Sequence, residues 1–503
     1  MKRSVSKGLS GPMEGTGVAS WFRWNPFYFQ LLHQDRRRAC NRRVLRACGA
    51  AFFEDKSGIT NGMGNFHKKT CSRRAFLKAG LSLTVVIPFR LHAAGSDSTG
   101  AAELAHQEIW NRFVDKRFNV LLHYAGLKGE LHLPTAEECQ ECKPNGMSWS
   151  TPIEDGPFFG GIYLVGLCLR REQRMDAESK EKARRIAAGL MKLAEAGKTP
   201  GFVARGFGAD GQAHYPASSE DQVFPWFLGL WSYLRSGMAS PAERTKYVAV
   251  MLKVVRALES HDWQVPCDRP EFGYRGAYNR ATSKDCVRLL FLLRATHELT
   301  GDPYWLKEYQ AKLTERVGKG NKSREELCAE GFEYVTAHGA TYVWTTSMCQ
   351  AALRGLRDLE TEPRIKKRFQ AGLDLSAERV TVFLAQGLRY ERTNTLHFDP
   401  DWRFLNMSWK PQHTCDEAIA LAKTQLPLWA ERNPRSPYED ETMREPLFAA
   451  WIITLSGNKK LIKPHRDAIN SLLRRYDWQG LYTAAFFVAV NVHYQLMKEG
   501  LEA

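Results

Sequence analysis

The sequence predicts an all-α protein in which apolar helices are enclosed by amphipathic ones, and three observations carry this. From about residue 100 onward the apolar residues recur at a period near 3.6, with almost no alternating, strand-like run. The same pair of segments repeats along the chain: an apolar stretch rich in small residues, a short polar turn, then a charged amphipathic stretch. Gly229, Leu289 and Met348 mark equivalent points about 60 residues apart, the length of a helical hairpin plus one long loop.

Taken in order, a helical segment at 103–122 precedes the first pair, 158–171 with 177–195. Further pairs follow at 222–235 with 241–260, at 284–299 with 303–317, and at 343–359 with 362–384. A longer pair-like region covers 416–429 and 445–455, then passes through Ser456-Gly457-Asn458 into 461–476, and 481–497 closes the chain. A helix that is apolar all round must be buried, and an amphipathic one covers it. Two concentric rings satisfy both demands, with Trp226, Trp231, Trp344 and Trp451 expected in the inner-ring core.

This arrangement resembles the (α/α)6 toroid of six-hairpin glycosidases, a double ring of helical hairpins, over about 400 residues of the chain. The turns Leu299-Thr300-Gly301-Asp302-Pro303 and Leu455-Ser456-Gly457-Asn458 are similar to the inner-to-outer turn of that fold. The alternative that periodicity leaves open is an open helical solenoid.

The composition is that of a folded soluble protein, 44% apolar and 25% charged, and excludes disorder, collagen and a coiled coil. The net charge of +16 is concentrated at the amino end: residues 1–94 hold 17 Lys and Arg against 4 Asp and Glu. The remaining chain is nearly neutral, which argues against a nucleic-acid groove.

Residues 71–80, Cys-Ser-Arg73-Arg74-Ala-Phe-Leu-Lys-Ala-Gly, precede a short apolar run and the small residues Ala93-Ala94. The segment resembles a twin-arginine export signal, which implies recognition of Arg73 and Arg74 by the Tat machinery, cleavage near Ala94 and a periplasmic or secreted protein. Met63 opens a conventional leader over 63–94, so residues 1–62 are read as an over-long start or a disordered extension. The apolar run is less than half the roughly 20 residues that span a bilayer, so no stable membrane span is expected.

Of the 11 cysteines, eight follow the leader. Cys139-Gln-Glu-Cys142 lacks the second pair of a zinc site and the following His of a haem attachment, and reads as a disulfide or two free thiols. No Gly-rich fingerprint follows a strand, no P-loop is present, and neither a metal nor a cofactor is expected.

The double-ring arrangement places long loops on one side, and here these are rich in Trp, Tyr, His, Arg and carboxylates: 145–156, 205–222, 267–285, 338–344, 406–417 and 435–445. Aromatic faces stack on sugar rings while charged groups bind hydroxyls or a uronate, so an oligosaccharide is the expected substrate. Glu154-Asp155 and Glu220-Asp221 each stand just before or at the start of an apolar helix, where carboxylates act as caps or as a general acid and base. The segment is similar to unsaturated-uronyl hydrolases, in which one Asp takes and gives a proton during hydration of an unsaturated sugar, and the resemblance implies Asp155 and Asp221 as catalytic candidates. Arg205 and Arg275 are expected to hold an anionic substituent, and Trp149, Tyr215 and Trp409 to stack on sugar rings, with His214 and His413 as further contacts. Asp210-Gly211 reads as a turn, and Arg444-Glu445 as a subsite.

The expected activity is glycoside hydrolysis of acidic oligosaccharides. Rival readings are a lyase of uronic-acid polymers using Tyr215 and His214, a non-catalytic carbohydrate- or partner-binding protein, and a cofactor-bearing redox protein.

Overall fold

The computed structural model describes residues 97–335 and 341–501. The twin-arginine segment, Arg73 and Arg74, the proposed extension 1–62 and His338 lie outside the described residues. Of the described residues 65% are in helix and 5% in strand, an all-α arrangement, and among them no helix is long and apolar enough to cross a membrane.

Thirteen longer helices carry the architecture: α1 (Ser98–Glu108), α2 (Gly156–Arg174), α3 (Ala177–Glu195), α4 (Glu220–Arg235), α5 (Pro241–Ser260), α6 (Ser283–Thr300) and α7 (Pro303–Thr314). They continue with α8 (Val343–Leu359), α9 (Pro363–Val380), α10 (Cys415–Arg432), α11 (Glu445–Leu455), α12 (Arg466–Arg475) and α13 (Val488–Lys498). Six are buried on most of their surface: α2, α4, α6, α8, α11 and α13, with every residue of α11 buried. They pack in the closed order α2, α4, α6, α8, α11, α13 and back to α2, and α8 also touches α4. The one-sided helices cover them: α3 lies on α2 and α4, α5 and α7 on α6, α9 on α8 and α11, α12 on α11 and α1, and α1 on α13.

Local chemistry ends these helices where the sequence indicates. Gly301 adopts a left-handed φ of 69° after α6, its N–H bonding the His297 carbonyl at 2.8 Å. Asp302 then caps α7, accepting from the Tyr304 N–H at 3.0 Å, with Pro303 at the first helical position. Gly457 and Asn458 repeat the device, with φ 64° at the glycine and the Asn458 side chain accepting from Lys460 N–H.

Three segments depart from the sequence reading. The helix expected through 103–122 continues past Glu108 as a π-helical turn at Ile109–Phe113 and then gives way to a hairpin of β1 (Val114–Asp115) and β2 (Val120–Leu121). Asp115 accepts from the Arg117 N–H at 2.9 Å, and Asn119 takes the left-handed φ of 60° that the hairpin needs. The helix expected at 416–429 is one-sided: α10 packs on Trp402–Ser408 outside the six apolar helices, while α11, apolar on all sides, takes the buried place. The segment after α9 tightens into 3₁₀ turns at Thr381–Arg389.

Small residues set the spacing between α2 and α4. A Cβ on Gly161 would stand 2.0 Å from the Pro225 carbonyl oxygen, and one on Gly229 would stand 2.4 Å from the Gly161 oxygen, so the two backbones touch. Gly161→Ala is therefore expected to lower stability by about 1–3 kcal/mol through overpacking, read as a shift of the urea denaturation midpoint with unchanged slope.

Candidate functional site

The amino ends of α2 and α4 meet at a buried carboxylate. Asp155 occupies the cap position of α2, yet its side chain makes no cap hydrogen bond and turns to other partners. His123 Nδ1 lies 2.9 Å from Asp155 Oδ2, Gln222 Nε2 donates to Oδ1 at 2.6 Å, and Arg205 Nη1 stands 3.7 Å from Oδ1. These four residues come from the segment after β2, the start of α2, the start of α4 and the loop between α3 and α4.

The backbone fixes each of them. His123 N–H donates to Pro152 and its carbonyl accepts from Ala484, both at 2.8 Å, and its ring stacks on Phe159 at 5.2 Å. Arg205 Nη1 donates to the Glu154 carbonyl at 2.9 Å and Nη2 to Ser219 Oγ at 2.8 Å. Its own carbonyl accepts from the Gly156 N–H at 3.1 Å, an approach open only to glycine, because a Cβ there would stand 2.3 Å from that oxygen.

The two neighbouring carboxyls are driven apart. Burial raises Glu154, and the charge of Asp155 beside it raises it further, to about 7. Burial also works against ionised Asp155, but the His123 hydrogen bond, the His123 and Arg205 charges and the Gln222 amide together hold it below the ordinary range. For His123, the contact with Asp155 and the charges of Glu154 and Asp440 outweigh burial and push the imidazole upward. Near neutral pH this leaves Glu154 poised to give a proton and Asp155 ionised.

The facing wall comes from the segment before α11. Asp440 is 31% exposed and Arg444 14%, and they pair at 2.7 Å. Arg444 also lies over the Trp344 ring at 4.5 Å, and Glu445, buried beneath, accepts from the Val343 N–H. Burial raises the carboxyls of Asp440 and Glu445 against the pull of Arg444. This segment is anchored by Glu439, which bonds Arg435 and accepts from the Tyr482 and Thr483 N–H groups that precede α13.

A third arc lies at the starts of α4 and α6. Arg280 bonds Glu220 at 2.9 Å and Asp285 at 3.3 Å, Arg288 bonds Asp285, and Arg275 is in the field of Glu220 and Asp221. Asp221 accepts from Ser219 Oγ, the hydroxyl that Arg205 also holds, so Asp155 and Asp221 are joined through Arg205 and Ser219.

The structure thus brings Asp155, Arg205, Asp221 and Arg275 into one neighbourhood. It uses His214 and Tyr215 elsewhere: His214 bonds Asp268 at 3.0 Å and the Gln212 carbonyl at 3.1 Å, and the buried Tyr215 hydroxyl donates to the Lys143 carbonyl. Trp149 is half-buried, its N–H donating to Asn145, and Trp409 donates to the Glu141 carbonyl beneath Lys143. His413 is exposed just before α10, and Asp210 accepts from the Gln212 and Ala213 N–H groups of its turn. Trp226, Trp231 and Trp451 are buried core, whereas Trp344 is half-buried beside Arg444. His123, Gln222 and Asp440 were not legible as site residues: His123 follows the apolar run 120–122, and nothing beside it marks a function.

One ligand atom each from His123, Glu154 and Asp155 lie within 4.8 Å of one another, close enough to share an ion. The adjacent Arg205 guanidinium opposes a cation there, and Asp155 is already engaged by His123 and Gln222. No protein-family model matches this chain, and neither a curated protein nor a solved structure does.

Glu154 makes stability depend on pH with a definite sign. Between about pH 4.5 and 7 the folded protein keeps a proton that the unfolded chain releases, so stability falls as pH rises through that window. Wild type is expected to lose about 3 kcal/mol more than Glu154→Gln between those limits, read by urea denaturation at a series of pH values.

Proposed function

We propose that this protein is an exported, carbohydrate-active (α/α)6 toroid that hydrolyses glycosidic bonds in acidic oligosaccharides. The closed order of six apolar helices under a layer of amphipathic ones supports the toroid reading, and the twin-arginine pattern at Arg73-Arg74 supports export. The observation that carries the chemistry is a pair of adjacent carboxyls in unequal settings: Asp155 is held by His123, Gln222 and the Arg205 charge, while burial and the Asp155 charge raise Glu154 to about 7.

In this reading Glu154 is the proton donor to the leaving oxygen. Ionised Asp155 is a positioning residue, because its oxygens are occupied by His123, Gln222 and Arg205. It fixes His123 through Nδ1, and its charge keeps the neighbouring Glu154 carboxyl raised. The Trp344 ring with Arg444 provides an aromatic and hydrogen-bonding wall for a sugar.

The arc at the starts of α4 and α6 favours an anionic substrate. Arg275, Arg280, Lys284 and Arg288 stand there against Glu220, Asp221 and Asp285, and burial together with Arg288 pushes the Lys284 ammonium downward. A carboxylate on the substrate relieves that excess. The contacts of His214 and Tyr215 weigh against the lyase reading, since the Tyr215 hydroxyl is buried and both His214 nitrogens are engaged.

The test is release of reducing ends from saturated and unsaturated uronic oligosaccharides. Turnover is expected to fall about 10²–10⁴-fold in Glu154→Gln, and the alkaline limb of the wild-type pH profile is expected near 7. Turnover that survives this substitution, or its absence on every uronic oligosaccharide, refutes the proposal.

A further inference from the structure

In the charged arc at the starts of α4 and α6, Lys284 differs from its neighbours. It is the second residue of α6, and its Nζ lies over the Tyr342 ring at 5.8 Å. Among the described residues its ammonium makes no ion pair and no hydrogen bond. The carboxylates whose charge reaches it are engaged elsewhere. Asp285 is held by Arg288 and by Arg280 at 3.3 Å, and Glu333 pairs with Arg379 at 3.2 Å.

Three features of the position act against a charged amine. The amino end of an 18-residue helix carries a partial positive charge. Arg288 stands one turn along the same helix, on the same face, and its own Nε is buried without an acceptor. Lys284 and Tyr342 are each half-buried, and desolvation favours the neutral amine. Burial accordingly pushes the ammonium downward, and Arg288 acts in the same direction. A neutral amine is a nucleophile, yet the surroundings it leaves behind are still positive and favour an anion. Both properties suit one kind of ligand, a carbonyl compound that carries a negative charge.

We propose that Lys284 is a binding site for small carboxylate-bearing aldehydes, which it holds as an imine. The ammonium gives one proton to water, and the nitrogen lone pair attacks the carbonyl carbon. One amine hydrogen moves to the carbonyl oxygen, forming a carbinolamine. The other leaves with that hydroxyl as water while the C=N bond forms. Nothing is oxidised or reduced. Arg288 and the amino end of α6 supply the positive charge that draws the carboxylate, and the half-buried setting admits a two-carbon aldehyde more readily than a bulky one. The proposal is independent of the glycosidase reading.

The test is to incubate the native full chain with glyoxylate and sodium cyanoborohydride near neutral pH, which reduces the imine to Nε-carboxymethyl-lysine, and to follow each lysine by peptide mass spectrometry. Lys284 is expected to be labelled about tenfold faster than Lys367, which is exposed on α9. With acetaldehyde, which has the carbonyl but no charge, that preference is expected to fall several-fold. Labelling of Lys284 no faster than Lys367, or a preference as large with acetaldehyde as with glyoxylate, overturns the proposal.

Discussion

An ionised carboxylate held beneath the protein surface organises everything around it. Asp155 is 3% exposed, and its charge is tolerable only because an imidazole, an amide and a guanidinium converge on it. Those partners lie in three segments that are distant in sequence, so satisfying one charge fixes the hairpin end at His123, the start of α4 at Gln222 and the loop carrying Arg205. The same charge raises Glu154 beside it. Structural cohesion and chemical reactivity therefore have a common origin.

The helices explain why charged groups collect here at all. The six apolar helices are buried over most of their length, so most of their ionisable residues lie toward their ends. The amino ends of α2, α4, α6 and α11 carry Asp155, Glu220 with Asp221, Asp285 and Glu445, where the helix dipoles favour anions. Arginines then neutralise them: Arg205 and Arg280 from the intervening loops act at α2 and at α4 and α6, Arg288 acts on Asp285 from within α6, and Arg444 acts at α11.

Much of the helical order was legible in the sequence because it depends on local rules. The turns at Gly301-Asp302-Pro303 and Gly457-Asn458 rest on a left-handed glycine and a side-chain cap, both decided within a few residues. Asp155, Arg205 and Asp221 could be singled out because each sits next to a helix start or in a turn-rich loop. His123, Gln222 and Asp440 were hidden because their roles arise from tertiary contacts. His123 meets Asp155 across 32 positions, and Gln222 meets it across 67. His214 and Tyr215 misled for the complementary reason: their chemistry suits catalysis, but Asp268 and the Lys143 carbonyl engage it. The helix at 416–429 shows the limit of periodicity, since a one-sided apolar stripe does not say which layer it joins.

The central claim is that Glu154 holds its proton up to about pH 7 while Asp155 is ionised. Carbon-13 labelling of the glutamate side-chain carboxyls, followed by NMR through a pH titration, tests it directly. One resonance that is missing in Glu154→Gln is expected to titrate near 7. Titration of that resonance in the ordinary glutamate range, about 4.3, would contradict the account.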